Sequence, residues 1–185
     1  PTGWTTYEED NNSVNTTIGM PAFINGSFQY ANLSGNAVAI SSSIYDPRGT
    51  SDDWLITPVL AIPPASATKT TRLSYFTISS TVAAPYNNIG TYELLVSTTG
   101  TAVTDFTDLI TPPANTLANS YEFVSVDLSA YVGKSIYIAW RDISTDVFVF
   151  AIDQVVVQTV ANDAIAMNSL DLPTYATDGE NMTIS

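Results

Sequence analysis

The sequence contains no histidine and no cysteine. Without histidine, the chain lacks the commonest general base, the commonest zinc ligand and the relay of the usual catalytic triad. Without cysteine, it has no disulfide, no thiolate nucleophile and no cysteine-based zinc site. It also has no glycine-rich phosphate-binding loop and no recognised Ser–Lys signature. These absences favour a binding protein over an enzyme.

Charged residues are also scarce, at 12% of the chain, and basic residues are the scarcest. Five Lys and Arg residues stand against 18 Asp and Glu residues, which gives a formal net charge of −13. The basic residues are scattered, so they form no stripe for phosphate groups, and nucleic acids and anionic membranes are poor candidate partners. No apolar run approaches the ~20 residues of a membrane-spanning helix, so we expect no transmembrane segment.

The pattern of the remaining residues predicts β-structure. Lys and Glu, which favour helices, are rare, whereas Thr, Val, Ile, Tyr and Phe, which suit half-buried pleated surfaces, are abundant. Short strands separated by turn residues are expected at 37–44, 54–62, 72–79, 91–97, 121–128, 135–141 and 147–158. Pro58 places the second strand at an edge or a bulge. Residues 104–110 are the one stretch expected to form a helical turn.

This spacing predicts an all-β fold, a jelly-roll β-sandwich of two antiparallel sheets. We expect the jelly-roll domain to occupy residues 1–160. After Thr159 the sequence becomes polar and contains Pro173 and Gly179. Residues 161–185 are therefore interpreted as a linker or the start of a following domain, with an ordered extension of the same domain as the alternative.

Acidic side chains suggest a calcium site between the N-terminal loop and the last strand. Glu8, Asp10 and Asn12 alternate, so an extended loop would point three oxygen-bearing side chains the same way. Asp153 lies among apolar residues of a strand, where an unpaired carboxylate is costly. A calcium ion, which takes about six to eight oxygen ligands, would satisfy both observations. The alternative is a solvated loop, with Asp153 paired to Arg141 or accepting backbone N–H bonds.

Aromatic residues raise the question of a ligand-stacking surface. Trp54 and Trp140 alternate with apolar residues in predicted strands, so core packing is the better interpretation of both. The acidic pair at residues 52–53, before Trp54, is interpreted as a turn rather than as metal ligands. Candidate ligand-binding aromatics are those that fall in or near predicted loops, where exposure is expected: Tyr45, Tyr86 and Tyr131.

Four segments, taken together, carry a family resemblance: 3–6 (GWTT) before an acidic loop, 52–58 (DDWLITP), 92–100 (YELLVSTTG) continuing to 106, and 136–141 (IYIAWR) continuing to 155. Their order and spacing resemble the cleaved-adhesin, or choice-of-anchor J, domains of secreted Bacteroidetes proteins, including the adhesin regions of the gingipains. The resemblance covers roughly residues 1–158. It implies a jelly roll related to MAM domains and carbohydrate-binding modules, adhesion or ligand binding, structural calcium in many members, and no catalysis.

Three functional hypotheses follow. The first is a secreted or cell-surface adhesion module, stabilised by calcium, that binds a host or extracellular protein or glycan and has neighbouring domains in a longer chain. The second is a carbohydrate-binding module that targets an attached enzyme to glycans. The third is a structural spacer without a ligand. An exposed aromatic groove would favour the second hypothesis, whereas a large exposed apolar patch or strand edge would favour the first.

Overall fold

The computed structural model describes residues 2–15, 17, 27–33 and 35–162. The strands are β1 (Thr5–Glu8), β2 (Gln29–Leu33), β3 (Asn36–Ser41), β4 (Asp53–Ile56), β5 (Leu60–Ala61), β6 (Lys69–Ser80), β7 (Thr91–Ser97), β8 (Asp108–Asn115), β9 (Glu122–Asp127), β10 (Ser135–Asp142) and β11 (Val149–Ala161). Short 3₁₀ turns lie at Val103–Asp105 and Ser129–Tyr131. Within the described part of the chain, no helix is long and apolar enough to cross a membrane.

The strands form two antiparallel sheets. The first has the order β1-β4-β10-β7-β8, with the short β5 pairing with β10. The second, five-stranded sheet has the order β2-β3-β11-β6-β9. Every pairing between named strands is antiparallel. This arrangement confirms the predicted all-β jelly-roll sandwich of two antiparallel sheets.

The main core lies between the sheets and is centred on Trp140, whose side chain is fully buried. Its ring centroid is 6.1 Å from that of Trp4 and 5.2 Å from that of Tyr75. Ile136 and Ile138 join it, as the alternation of β10 predicts. Trp54 is also buried, 5.7 Å from Phe106 between ring centroids, in a separate apolar cluster. Core packing is therefore confirmed for both tryptophans.

Two predicted elements differ from the observed ones. The helical turn expected at 104–110 is limited to Val103–Asp105, and the chain then enters β8 at a sheet edge, where prolines 112 and 113 are tolerated. In the last predicted strand, 147–158, simple alternation would keep Phe148, Phe150, Ile152 and Val156 on one side. A bulge between Asp153 and Val156 breaks that alternation, so Phe150 and Ile152 are buried while Val156 is 45% exposed.

Two strand ends lie at or near positions that the sequence analysis singled out. Pro58 falls between β4 and β5, so the predicted strand 54–62 is interrupted there, as its proline indicated. Strand β11 ends at Ala161, near the predicted domain boundary at residue 160. Residues 163–185, most of the predicted linker segment, lie outside the described residues.

Candidate functional site

Two carboxyl groups face each other at one end of the sandwich. Asp53 opens β4 and Asp142 closes β10, and the strand register places them directly opposite one another. Both side chains are fully buried. Asp53 is therefore not the turn residue that the sequence suggested. Ser41, at the end of β3 in the other sheet, has its Oγ 2.9 Å from Asp53 Oδ2 and 2.7 Å from Asp142 Oδ2.

Burial of two facing carboxyl groups favours a proton on one of them. A serine hydroxyl carries a single hydrogen, so Ser41 cannot donate a full hydrogen bond to both carboxyl groups at once. Ser51 Oγ donates to Asp53 Oδ2 at 2.6 Å, and Asp53 Oδ1 is buried without a partner among the described residues. Burial raises the pKa of Asp53 to about 8, although the serine hydrogen bonds pull it down, and burial also raises the pKa of Asp142.

The predicted calcium ligands Asp10 and Asn12 are engaged mainly with the segment 45–52. Asp10 Oδ1 accepts from the Asn12 backbone at 2.7 Å. Its Oδ2 accepts from the Asp52 backbone at 2.8 Å and from the Tyr45 hydroxyl at 3.1 Å. The Asn12 amide donates to the Thr50 carbonyl at 3.0 Å. Glu8 is the last residue of β1 and is exposed. Asp10 thus anchors the N-terminal loop to the segment between β3 and β4.

Asp153 lies on the five-stranded sheet, whereas β1 and the start of the Asp10 loop belong to the other sheet. Its carboxylate accepts from the Asn36 amide and from the Gln154 backbone N–H, the latter at 2.7 Å. Arg141 instead pairs with Asp52, at 2.7 Å, and with Glu93, at 3.2 Å. Of the two alternatives for Asp153, the pairing with Arg141 is wrong and the acceptance of a backbone N–H bond is confirmed. Asp52 is an ion-pair residue rather than a turn residue.

These positions do not bring the four predicted ligands together. Across the described residues, no group of three or more acidic side chains converges in a way that could hold a metal ion. Calcium takes about six to eight oxygen ligands. The oxygens of Asp10 and Asp153 already accept hydrogen bonds from nearby backbone or amide donors. The predicted set therefore does not fit a calcium ion.

The three tyrosines predicted to be exposed are buried: Tyr45, Tyr86 and Tyr131 are 1%, 6% and 4% exposed. Tyr131 belongs to the main core, and the hydroxyl groups of all three are hydrogen-bonded inside the protein, as is usual for buried tyrosine. Tyr86 accepts from the Asn15 amide at 3.0 Å, and Tyr131 donates to Asp108 at 2.6 Å. The expectation that they form an exposed binding surface is therefore wrong.

The exposed aromatic surface lies elsewhere, on the outer face of the five-stranded sheet. There Phe76 of β6 and Phe123 of β9 are directly opposite, with ring centroids 5.3 Å apart, and Tyr121 lies 6.3 Å from Phe76. Phe123 is 60% exposed and Tyr121 is 46% exposed, while Phe76 is half-buried. We call these three residues the aromatic strip. The alternation of side chains along β6 and β9 could have indicated this strip from the sequence. Tyr75 and Val124 turn inward, which leaves Phe76 and Phe123 on the outer face.

A groove of about 730 Å³ opens between the two sheets. Its walls include the core residues Phe28, Leu55 and Ile152, and Tyr30 lies on its rim with 62% of its side chain exposed. Asp153 is the one carboxylate among its described lining residues. The groove therefore offers apolar surface but no pair of acidic groups for hydrolytic chemistry.

Comparison with known proteins identifies the family. The family described as Cleaved Adhesin Domain matches residues 1–157. Hemagglutinin A of Porphyromonas gingivalis is 28% identical over 181 residues, and the match covers 85% of this chain but 6% of that protein. The chain thus corresponds to a small part of a much longer relative.

Solved structures agree with this assignment. The K1 cleaved adhesin domain of Lys-gingipain from Porphyromonas gingivalis W83 matches with a TM-score of 0.61 and 22% identity, covering 85% of this chain and 91% of that one. The K3 domain of the same protein matches with a TM-score of 0.57 and 26% identity, covering 86% and 91%. TmCBM61, solved with beta-1,4-galactotriose, shares the fold alone, at a TM-score of 0.51 and 8% identity, covering 85% and 88%. The predicted resemblance is confirmed, and the chain belongs to the cleaved adhesin domain family.

Proposed function

We propose that this domain is a non-catalytic adhesion module of a secreted or cell-surface protein, and that it contacts its ligand through the aromatic strip. The observation that carries the proposal is the exposure of Phe123 and Tyr121, at 60% and 46%, beside Phe76 on one sheet face. Large aromatic side chains clustered on a surface mark binding sites, whereas single exposed ones are common. Aromatic residues also supply most of the binding energy at many interfaces.

The strip is held rigidly, which favours its use as a binding surface. Phe76 lies within β6, which pairs with β11 on one side and with β9 on the other. The cross-strand contact between Phe76 and Phe123 fixes both rings against each other. Side chains on paired strands lose little conformational freedom when a ligand binds, so less of the interaction energy is spent on ordering them.

The acidic residues support a non-catalytic role. Asp53 and Asp142 are closed off from solvent, so they cannot reach a substrate. Asp52 is tied to Arg141, and Asp146 is tied to Arg48. A glycosidase needs two carboxyl groups that face each other across an accessible cleft. Calcium is not part of the proposal, because the predicted ligands are not assembled among the described residues.

The secreted or surface location and the neighbouring domains rest on the relatives. Hemagglutinin A is far longer than this chain, and the K1 and K3 domains are pieces of Lys-gingipain. By analogy, we propose that this domain works as one unit of a longer extracellular protein. The alternative of a spacer without a ligand predicts that no surface of the domain binds anything.

The experiment compares strip variants for binding to a panel of immobilised extracellular proteins and glycans. We expect the wild-type domain to bind at least one probe, and the double variant Tyr121→Ser with Phe123→Ser to lose that binding. Tyr30→Ser is the matched control, because Tyr30 is an equally exposed aromatic residue on the opposite edge of the same sheet. Wild-type binding by the strip variant, or loss only in the Tyr30 variant, would reject the strip as the contact surface. Unchanged unfolding midpoints show that the variants are folded.

A further inference from the structure

The aromatic strip and its border combine apolar ring faces, hydroxyl groups and charges of both signs, and we propose that the ligand of this surface is a neutral glycan chain. This inference rests on the proposed function, since it names the ligand class of the same surface. Each sugar ring has an apolar face of C–H groups and a rim of hydroxyl groups. A matching site needs aromatic rings for the first and hydrogen-bonding side chains for the second.

The rings provide the apolar contact. Phe76 and Phe123 lie opposite each other across β6 and β9, tilted by 58°, and Tyr121 meets Phe76 edge-on at 88°. The three rings are not coplanar. They lie along the edge of the sheet, because β9 is an edge strand. The Tyr121 hydroxyl adds a group that can both donate and accept hydrogen bonds.

The polar border begins one row along the strands. There Ser74 faces Ser125, and in the next row Arg72 faces Asp127. Side chains in successive rows on one face are about 6 to 7 Å apart along a strand, which is within the width of a sugar ring and its hydroxyl groups. Arg72 Nε donates to Ser125 Oγ at 2.9 Å, so the guanidinium is held across this border. The border therefore offers hydroxyl and guanidinium groups to the hydroxyl rim of a sugar.

On the other side of Phe76, the strand register places Asp153 of β11. Its carboxylate is 6% exposed and accepts from the Asn36 amide and the Gln154 backbone. On the side of Phe76 that faces β11, the strip is therefore bordered by a carboxylate whose hydrogen bonds are already made within the protein. Apolar side chains continue beyond the rings on this face, where Ile78 lies one row from Phe76 and Val156, 45% exposed, lies opposite Ser74.

The charges around the strip favour a neutral ligand. Arg72 faces Asp127, and Asp153 lies beside Phe76, so these border residues comprise one basic and two acidic side chains. A hydrogen bond from Ser129 holds the pKa of Asp127 below its usual range, and the nearby Arg72 adds to this. The whole chain carries a net charge of −13, which repels polyanions at long range. Sulfated or sialylated glycans are therefore disfavoured relative to neutral ones.

The size of the surface favours a glycan over a protein. A stable protein interface buries ~800 Å² on each partner and involves about 20 to 30 residues on each side. The aromatic part of this surface consists of three rings, and beside them lie two serines and the exposed Val156. A chain of sugar rings can use so small a platform, because stacking and hydroxyl contacts repeat from ring to ring.

The test is a glycan array with neutral polysaccharides, such as β-linked galactans, glucans and mannans, beside sialylated and sulfated glycans. We expect the wild-type domain to bind neutral glycans, Phe123→Ser to weaken that binding by roughly tenfold or more, and Phe123→Trp to retain it. Tyr30→Ser, on the far edge of the sheet, should bind as the wild type does. Unfolding midpoints measured for each variant separate loss of binding from loss of folding.

The possible failures are distinguishable. If no neutral glycan binds, or if anionic glycans bind better, the glycan inference is wrong. If a protein from the extracellular panel binds through the strip while neutral glycans do not, the glycan inference fails and the proposed function stands. If Phe123→Ser binds every wild-type ligand at full strength, both the proposed function and the glycan inference fail.

Discussion

Replacing Asp53 with asparagine should remove the part of the pH dependence of stability that Asp53 contributes, while Asp142, whose pKa burial also raises, keeps its own part. Burial raises the pKa of Asp53 from 3.8 to about 8, and the facing Asp142 contributes to that increase. The folded protein therefore keeps a proton that the unfolded chain has released. The stability that this proton contributes is complete below the unfolded pKa of 3.8, declines as the pH rises, and is lost once the pH passes about 8.

The size of the effect follows from the width of that interval. One proton held by the folded state and not by the unfolded chain changes the free energy of unfolding by ~1.4 kcal/mol per pH unit. Between about pH 5 and about pH 8 the wild-type protein should lose on the order of 4 kcal/mol from this group. An asparagine amide keeps the shape of the side chain and can donate to Ser41 Oγ, so Asp53→Asn should be more stable than the wild type near pH 8.

Urea denaturation followed by tryptophan fluorescence, repeated at intervals from about pH 5 to pH 9, measures how the free energy of unfolding changes with pH for the wild type and for Asp53→Asn. Asp146→Asn is the control, because Asp146 is a buried aspartate that pairs with Arg48 rather than with another carboxyl group. It should lower stability by a similar amount at every pH in this range. If the free energy of unfolding changes equally with pH in the wild type and in Asp53→Asn, the folded protein does not hold a proton on Asp53. A calcium-induced rise in the wild-type midpoint that Asp53→Asn abolishes would show that the pair holds a cation instead.

Two further predictions concern packing and ion pairing. Trp140→Ala should destabilise the protein by ~3 to 5 kcal/mol in urea denaturation, since the ring is fully buried between Trp4 and Tyr75, whereas Trp140→Phe should cost clearly less; equal costs would contradict the central position of the indole. Arg141→Lys should lower the free energy of unfolding by ~1 kcal/mol, because lysine cannot reproduce the two hydrogen bonds to Asp52 or the stacking on Trp54, 5.2 Å from its ring centroid. An unchanged midpoint for Arg141→Lys would show that the guanidinium geometry contributes nothing.

Local patterns in the sequence predicted the type of fold. The alternation of Ile136, Ile138 and Trp140 indicated a strand with one buried face, and the structure buries all three. The four spaced segments predicted the family, which the match over residues 1–157 confirms. The absence of histidine and cysteine excluded whole classes of active site without any structure. Each of these inferences depends on residue type or on neighbours a few positions away.

The candidate sites could not be predicted in the same way. Asp53 and Asp142 are 89 positions apart in the chain and meet only because β4 pairs with β10. Ser41, which binds both, belongs to the opposite sheet. Tyr45, Tyr86 and Tyr131 were predicted to be exposed because they fall near loops, but their side chains are buried. Burial of a loop residue depends on what the rest of the chain places above it.

The aromatic strip separates what the sequence determines from what the tertiary structure decides. From the sequence alone, alternation separates Tyr75 from Phe76 and Phe123 from Val124, so each strand has two determined faces. Alternation cannot say which face turns toward the second sheet, nor which strand lies beside it. The structure decides both, by packing Tyr75 into the core and pairing Phe76 with Phe123. The sequence therefore determined the strands and their periodicity, while long-range pairing, which no local pattern encodes, created the surface.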